Sequence, residues 1–238
     1  MSKSTALNDG VRAGDFPASW TLLLRRTLGL ANVVGAFVIA VALTVNITDR
    51  MVQGIFDPSH YFQYFTIQTS IINIVALTMG GMFALLRRTD PRWYAVVRAG
   101  TVAYAVVVGV VYNVLLAGLS INDGYISTFE FPNLVQHVWG PILIAAEWVL
   151  MPGRAQLGWR VLWMVAVYPL TWVVASISRG LVGDGWFPYF FLNPGEMGWD
   201  WVGIYVGGIA AFIIVVTAVA ILIGRLHGRV FADVGGER

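Results

Sequence analysis

Thr66, Thr69, Ser70 and Asn73 stand at offsets 0, +3, +4 and +7 within the stretch YFQYFTIQTSIIN, residues 61–73. On a helix these offsets share one face. The stretch opens a long apolar run, so the stripe must meet protein groups or water, because lipid offers no hydrogen bonds. A threonine hydroxyl attacks a carbonyl well only when a base takes its proton. A neutral imidazole near pH 7 is such a base. His137 lies inside another apolar run, whereas His60 and His227 lie outside. An ionisable side chain so placed is costly and marks a functional hypothesis. Thr66 as nucleophile and His137 as base would have the parts of an acyl-transfer pair, with Asn113 and Arg179 as candidate oxyanion donors. Thr69 competes as nucleophile from the same face, and Asn73 extends its polar support. Two plainer readings stand beside this one. A threonine within the bilayer bonds back to its own helix, and a buried imidazole bridges two helices.

These groups need a scaffold, and the composition names its class. Of 238 residues, 58% are hydrophobic and 12% charged, with mean hydropathy +0.72. A soluble domain carries about twice that charged fraction. Apolar runs predict six transmembrane helices at about 28–45, 61–86, 99–119, 134–151, 161–178 and 202–224, an all-α polytopic bundle. The runs do not alternate as barrel strands do. Residues 1–20 read as a flexible tail without a cleavable signal, residues 21–231 as the transmembrane domain, and residues 232–238 as a second tail. Six spans put both tails on one side. Lys3, Arg12, Arg25, Arg26, Arg87, Arg88, Arg92, Arg98, Arg154, Arg160, Arg225, Arg229 and Arg238 fall on that side, while Arg50 and Arg179 fall on the other, together the fifteen basic residues. The positive-inside rule then predicts an N-in, C-in topology. The basic residues set topology and do not indicate nucleic-acid binding.

In that topology Thr66, Tyr112, Asn113, His137 and the Ser176–Arg179 end of the fifth span reach one shallow layer on the non-cytoplasmic side. Pro141 lacks an N–H, so the His137 carbonyl four residues earlier loses its helical partner; Pro169 does the same to Val165. Glu147 is a second buried charge, read as pairing with Arg154 or Arg160, with proton carriage as the sharper alternative. Gly203, Gly207 and Ala211 form a small-residue row expected to pack helices. The loop 185–194, GWFPYFFLNP, reads as an interfacial aromatic belt, or else as a lid. With no cysteine and one histidine inside a span, neither a metal site nor a haem is expected, and no cofactor is implied.

FQYFTIQT, NLVQHVWGPILIAAEW, and VYPLTW followed by GWFPYFFLNP resemble the bacterial Pr6Pr six-span membrane proteins. More distantly the chain is similar to the androgen-induced and androgen-dependent membrane hydrolases, which cleave fatty acid esters of hydroxy fatty acids. The resemblance covers about residues 61–194. It implies a catalytic threonine at Thr66, a catalytic histidine at His137, and a multi-pass protein of the bacterial plasma membrane. The resulting expectation is an intramembrane hydrolase of lipid esters, with membrane lipids and a lipid-ester substrate as partners. The alternative is a non-enzymatic lipid-binding or proton-coupled transport protein using His137 and Glu147. A third reading is a structural membrane partner, with no particular oligomeric state implied.

Overall fold

The computed structural model describes residues 18–117 and 127–231. Within them all regular structure is helical: α1 (Ala18–Val52), α2 (Pro58–Tyr61), α3 (Phe65–Leu86), α4 (Arg92–Val111), α5 (Glu130–Leu134), α6 (Gly140–Leu150), α7 (Val161–Val182), α8 (Pro194–Met197) and α9 (Trp199–Phe231). Two π turns interrupt this order, Tyr112–Leu116 after α4 and Val135–Trp139 between α5 and α6. Five helices among the described residues are long and apolar enough to cross a membrane: Ser19–Val52, Phe65–Leu86, Arg92–Leu116, Val161–Val182 and Trp199–Leu226. The chain is an integral, multi-pass all-α membrane protein whose outward helix faces contact lipid.

Cross-links between the helices define two ends of the bundle. At the near end, the Thr128 N–H donates to Asp49 at the close of α1 (2.9 Å), and His60 before α3 meets Asp184 after α7 (2.8 Å). At the far end, Arg25 of α1 donates to the carbonyls of Arg87 (2.9 Å) and Pro152 (2.7 Å). The segment from Thr128 to Pro152 therefore also runs the height of the bundle, with the π turn inside it. Helix α3 packs along α1, while α4 sits centrally against α3, α6, α7 and α9. The α1–α3 approach depends on small residues. A Cβ on Gly29 would lie 2.7 Å from Ala84 Cβ, and one on Gly81 would lie 2.8 Å from the Gly29 carbonyl. The Gly203–Gly207 row behaves otherwise. A Cβ at either position meets nothing within 4 Å, so these two glycines face outward and pack no helix among the described residues.

Several expected boundaries change. Helix α1 is 35 residues long, roughly 52 Å, and continues through Asp49 and Arg50, both buried by neighbours. Residues 18–20 belong to it; the rest of the expected tail, residues 118–126 and residues 232–238 lie outside the described residues. The second apolar run does not begin its long helix at Tyr61. Asp57 caps the short α2, accepting from the Ser59 N–H (2.7 Å), with Pro58 in its first turn, a pattern that starts a helix. Tyr64 then adopts an extended conformation and α3 starts at Phe65. An apolar-run reading does not see this break, because the aromatic Tyr61, Phe62 and Tyr64 read as a continuation of the run that α3 carries.

The far end holds the largest departure from expectation. Arg25, Asp90, Arg98 and Glu147 are all buried. The Asp90 carboxylate pairs with Arg25 and with Arg98 (2.9 Å to the latter), and Glu147 pairs with Arg98. Asn32 donates to the second Glu147 oxygen at 3.0 Å. Glu147 is thus paired with Arg98, a partner that was not among those expected for it. Arg154 lies over the Trp148 ring, 4.4 Å from its centroid. Two guanidinium groups and two carboxylates balance in charge, the condition under which such groups tolerate burial.

Candidate functional site

Thr66 is the second residue of α3 and is nearly buried. Its position in the first turn sets its hydrogen bonding. Thr44, Thr69, Thr78, Thr171 and Thr217 each donate to the carbonyl four residues earlier, at 2.7–2.9 Å. Four residues before Thr66 the chain is not yet in α3, so that bond is not formed. Its Oγ1 instead lies 3.5 Å from the Tyr189 hydroxyl, and its backbone N–H donates to the same oxygen at 3.5 Å. The first N–H groups of a helix have no intrahelical acceptor and carry the positive end of the helix dipole. Tyr189 supplies the acceptor there.

A cavity of about 170 Å³ opens beside this pair, between α4, α7, α9 and the Tyr189–Leu192 segment. Among the described residues Thr66 is the one aliphatic hydroxyl in its lining; Tyr112, Pro169, Trp172, Tyr189 and Ile213 are among its walls. Tyr189 is held by aromatic neighbours. Phe191 stacks on it with centroids 5.2 Å apart, Tyr64 meets it edge-on at 5.8 Å, and Trp172 lies at 5.9 Å. The Trp172 indole donates to the Gln63 carbonyl at 2.9 Å, fixing the turn before α3 to α7.

His137 sits on the Val135–Trp139 π turn. Its ring stacks on Tyr112 of the other π turn, with centroids 3.7 Å apart and planes at 16°. Its Nδ1 lies 3.1 Å from the Asn133 carbonyl. A carbonyl only accepts, so in the neutral ring the proton is on Nδ1 and the lone pair on Nε2. The His137 carbonyl, freed by Pro141, accepts from Asn113 Nδ2 at 3.2 Å. The carbonyl freed by Pro169 is met likewise, as Tyr104 donates to Val165 at 2.6 Å. Both prolines do what their missing N–H requires.

The hydrogen bonds pair neither Thr66 nor His137 with the other. Thr66 meets Tyr189 and His137 meets Asn133, while Tyr112 touches both neighbourhoods, lining the cavity with one part and covering the imidazole with its ring. The expected oxyanion donors are engaged elsewhere. Asn113 Nδ2 donates to the Gly109 (2.8 Å) and His137 carbonyls. Arg179 donates to Gln63 Oε1 at 3.2 Å and faces Asp184 at 3.5 Å. Thr69 Oγ1 donates to the Phe65 carbonyl, and Asn73 lines a second, much smaller void. Tyr112, expected in the same shallow layer, lines the cavity, whereas Tyr189 joins the site without having been singled out within the loop 185–194, whose composition is that of an interfacial belt.

Outside the long helices, a polar latch holds the Tyr189 segment. His60 lies between Asp57 (3.1 Å) and Asp184 (2.8 Å) and stacks on Trp186 at 4.2 Å. The hydrogen bond with His60, and then the Trp186 N–H, hold the Asp184 carboxyl below its ordinary range. A depressed carboxyl adds stability above its unfolded pKa of about 3.9 and loses it as pH falls through the folded value. Trp186 fluorescence, taken as the difference from Trp186→Phe, is therefore expected to change as pH falls below about 4. Asp184→Asn should remove that acid transition.

Among the described residues no cluster of three or more His, Cys, Asp or Glu side chains could hold a metal ion. No protein-family model, no curated protein and no solved structure matches this chain.

Proposed function

We propose that the chain is an intramembrane hydrolase of lipid esters whose acyl chain occupies the cavity beside Thr66. The observation that carries this reading is the placement of the Thr66 hydroxyl, released from helix back-bonding, in the lining of a largely apolar cavity. An acyl chain fills such a space by hydrophobic transfer alone, and its ester would then lie at Thr66. Attack of Oγ1 on the ester carbonyl forms an acyl-threonine. The hydroxyl proton passes to His137 Nε2 and then to the departing alcohol, and water hydrolyses the acyl-enzyme with the imidazole again as base. The developing oxyanion is met by the Thr66 N–H at the start of α3 and by the Tyr189 hydroxyl, both donors that need no rearrangement of the helix. The transfer requires the Tyr112–His137 stack to open, and the two π turns are the segments that would give. Single-turn π bulges recur at functional sites.

The resemblance to the Pr6Pr proteins and the membrane ester hydrolases fits this reading, as do six crossings with both termini in the cytoplasm. In that orientation the far end, with Arg25, Arg87 and Arg98, faces the cytoplasm, and the cavity opens near the opposite face of a bacterial plasma membrane. A lipid-binding protein without chemistry is favoured by one observation, the absence of a Thr66–His137 hydrogen bond in the resting arrangement. Proton carriage through Glu147 has less support, because Arg98 and Asn32 hold its carboxylate in a closed network.

A lipophilic fluorophosphonate probe separates the two readings. Purified wild-type protein is expected to form a covalent adduct on the peptide containing Thr66, and Thr66→Ala to form none. Wild-type protein that binds the acyl probe reversibly without an adduct would establish the lipid-binding reading instead.

A further inference from the structure

The structure assigns an internal water site between α3 and the π turn that carries His137. Asn73 and Gln136 are each more than nine-tenths buried. Asn73 Oδ1 and Gln136 Nε2 have no hydrogen-bond partner, and both residues line one void together with Thr69, Ser70 and Pro141. One orphan is an acceptor and the other a donor. A buried amide left unsatisfied is costly in protein and more so within a bilayer, where no solvent can compensate it. The void measures about 10 Å³, close to the space a single water needs, and water requires two to four polar partners.

One water meets every condition. It donates one hydrogen to Asn73 Oδ1, accepts from Gln136 Nε2, and has its second hydrogen for a hydroxyl of Ser70 or Thr69. An ion meets fewer of them. A cation would face the Gln136 amide N–H, an anion would face the Asn73 carbonyl oxygen, and one water-sized void leaves no room for a hydration shell.

The position gives the water a mechanical role. Asn73 lies on the Thr66 face of α3, and Gln136 precedes His137. Pro141 walls the void on the third side, and its missing N–H has already diverted the His137 carbonyl to Asn113. The water therefore ties the helix of Thr66 to the turn of His137 at a place where regular helix bonding is broken. This role does not depend on the hydrolase reading, because it follows from satisfying two buried amides.

Two measurements on the full chain test the site. A structure from lipidic mesophase crystals, at a resolution that shows ordered solvent, is expected to place one water within hydrogen-bond distance of both Asn73 Oδ1 and Gln136 Nε2. A dry void, or a direct bond between the two amides, would overturn the proposal. Thermal melting adds the energetic arm. Asn73→Leu and Gln136→Leu are each expected to lower Tm by about 2–4 °C, and the double variant by clearly less than the sum, because the second change removes a group the first had already orphaned. Strictly additive losses would mean that no shared water links them. A direct amide bond would also give non-additivity, and the solvent density distinguishes that case.

Discussion

Glu147→Ala is expected to destabilise the protein by about 3–5 kcal/mol, the range for breaking a buried ion pair from one side. The carboxylate receives Arg98 on one oxygen and Asn32 on the other, at a site where Glu147 and Arg98 are each about 4% exposed. Removing it leaves Arg98 with Asp90 alone, which Arg25 already shares, so a net positive charge remains buried. Asn32 loses its acceptor as well. Glu147→Gln keeps an acceptor for Asn32 and fills the volume, so it should cost less. Arg98→Met combined with Glu147→Leu should recover much of the loss, because a neutral apolar pair carries no desolvation cost. Thermal melting in micelles checks the order: the alanine variant lowest, glutamine next, the paired apolar replacement nearest to wild type. An alanine variant melting with wild type would mean that water reaches Arg98 and the cluster is not sealed.

The same cluster marks where sequence reasoning stopped. Hydropathy placed Arg25 at the mouth of the first span and Arg98 before the third, because a charged residue is normally expelled to a span end. Both lie inside, because Asp90, in the loop between α3 and α4, folds back to neutralise both guanidinium groups. A pairing across 65 residues leaves no local trace. By contrast the effects of Pro141 and Pro169 were legible, since each follows from one missing N–H and a fixed offset, and the freed carbonyls are those that accept from Asn113 and Tyr104.

The polar stripe on α3 was legible in part. The offsets of Thr66, Thr69, Ser70 and Asn73 put them on a common side, and all four are buried. What they face was not readable. Thr66 turns to the Tyr189 segment and the large cavity, whereas Thr69, Ser70 and Asn73 turn to Gln136 and the small void. The break at Tyr64 separates these roles. It makes Thr66 a helix-start residue whose own N–H is free of the helix ladder, and leaves the other three in regular helix. One aromatic loop supplies the partner at the helix start, from 123 residues away.

That arrangement sets the second large expected effect. Thr66→Ala is expected to reduce turnover of a model acyl ester to background, because the carbonyl then has no nucleophile, while Thr66→Ser should keep measurable activity through the same hydroxyl without its methyl group. His137→Ala should lower kcat by about 10²–10⁴-fold, the usual contribution of a general base. Tyr189→Phe removes one oxyanion donor and leaves the aromatic packing around the cavity intact, so its loss should be about 10²–10³-fold in kcat with KM little changed. The three variants test different links. Unchanged turnover in Thr66→Ala and His137→Ala together would remove the hydrolase assignment. Loss in both with Tyr189→Phe unaffected would keep the assignment and move oxyanion stabilisation to the α3 backbone N–H groups alone. Loss in Thr66→Ala and Tyr189→Phe with His137→Ala active would make the Tyr112–His137 stack structural, and the proton would then leave Thr66 through the hydroxyl that already lies 3.5 Å away.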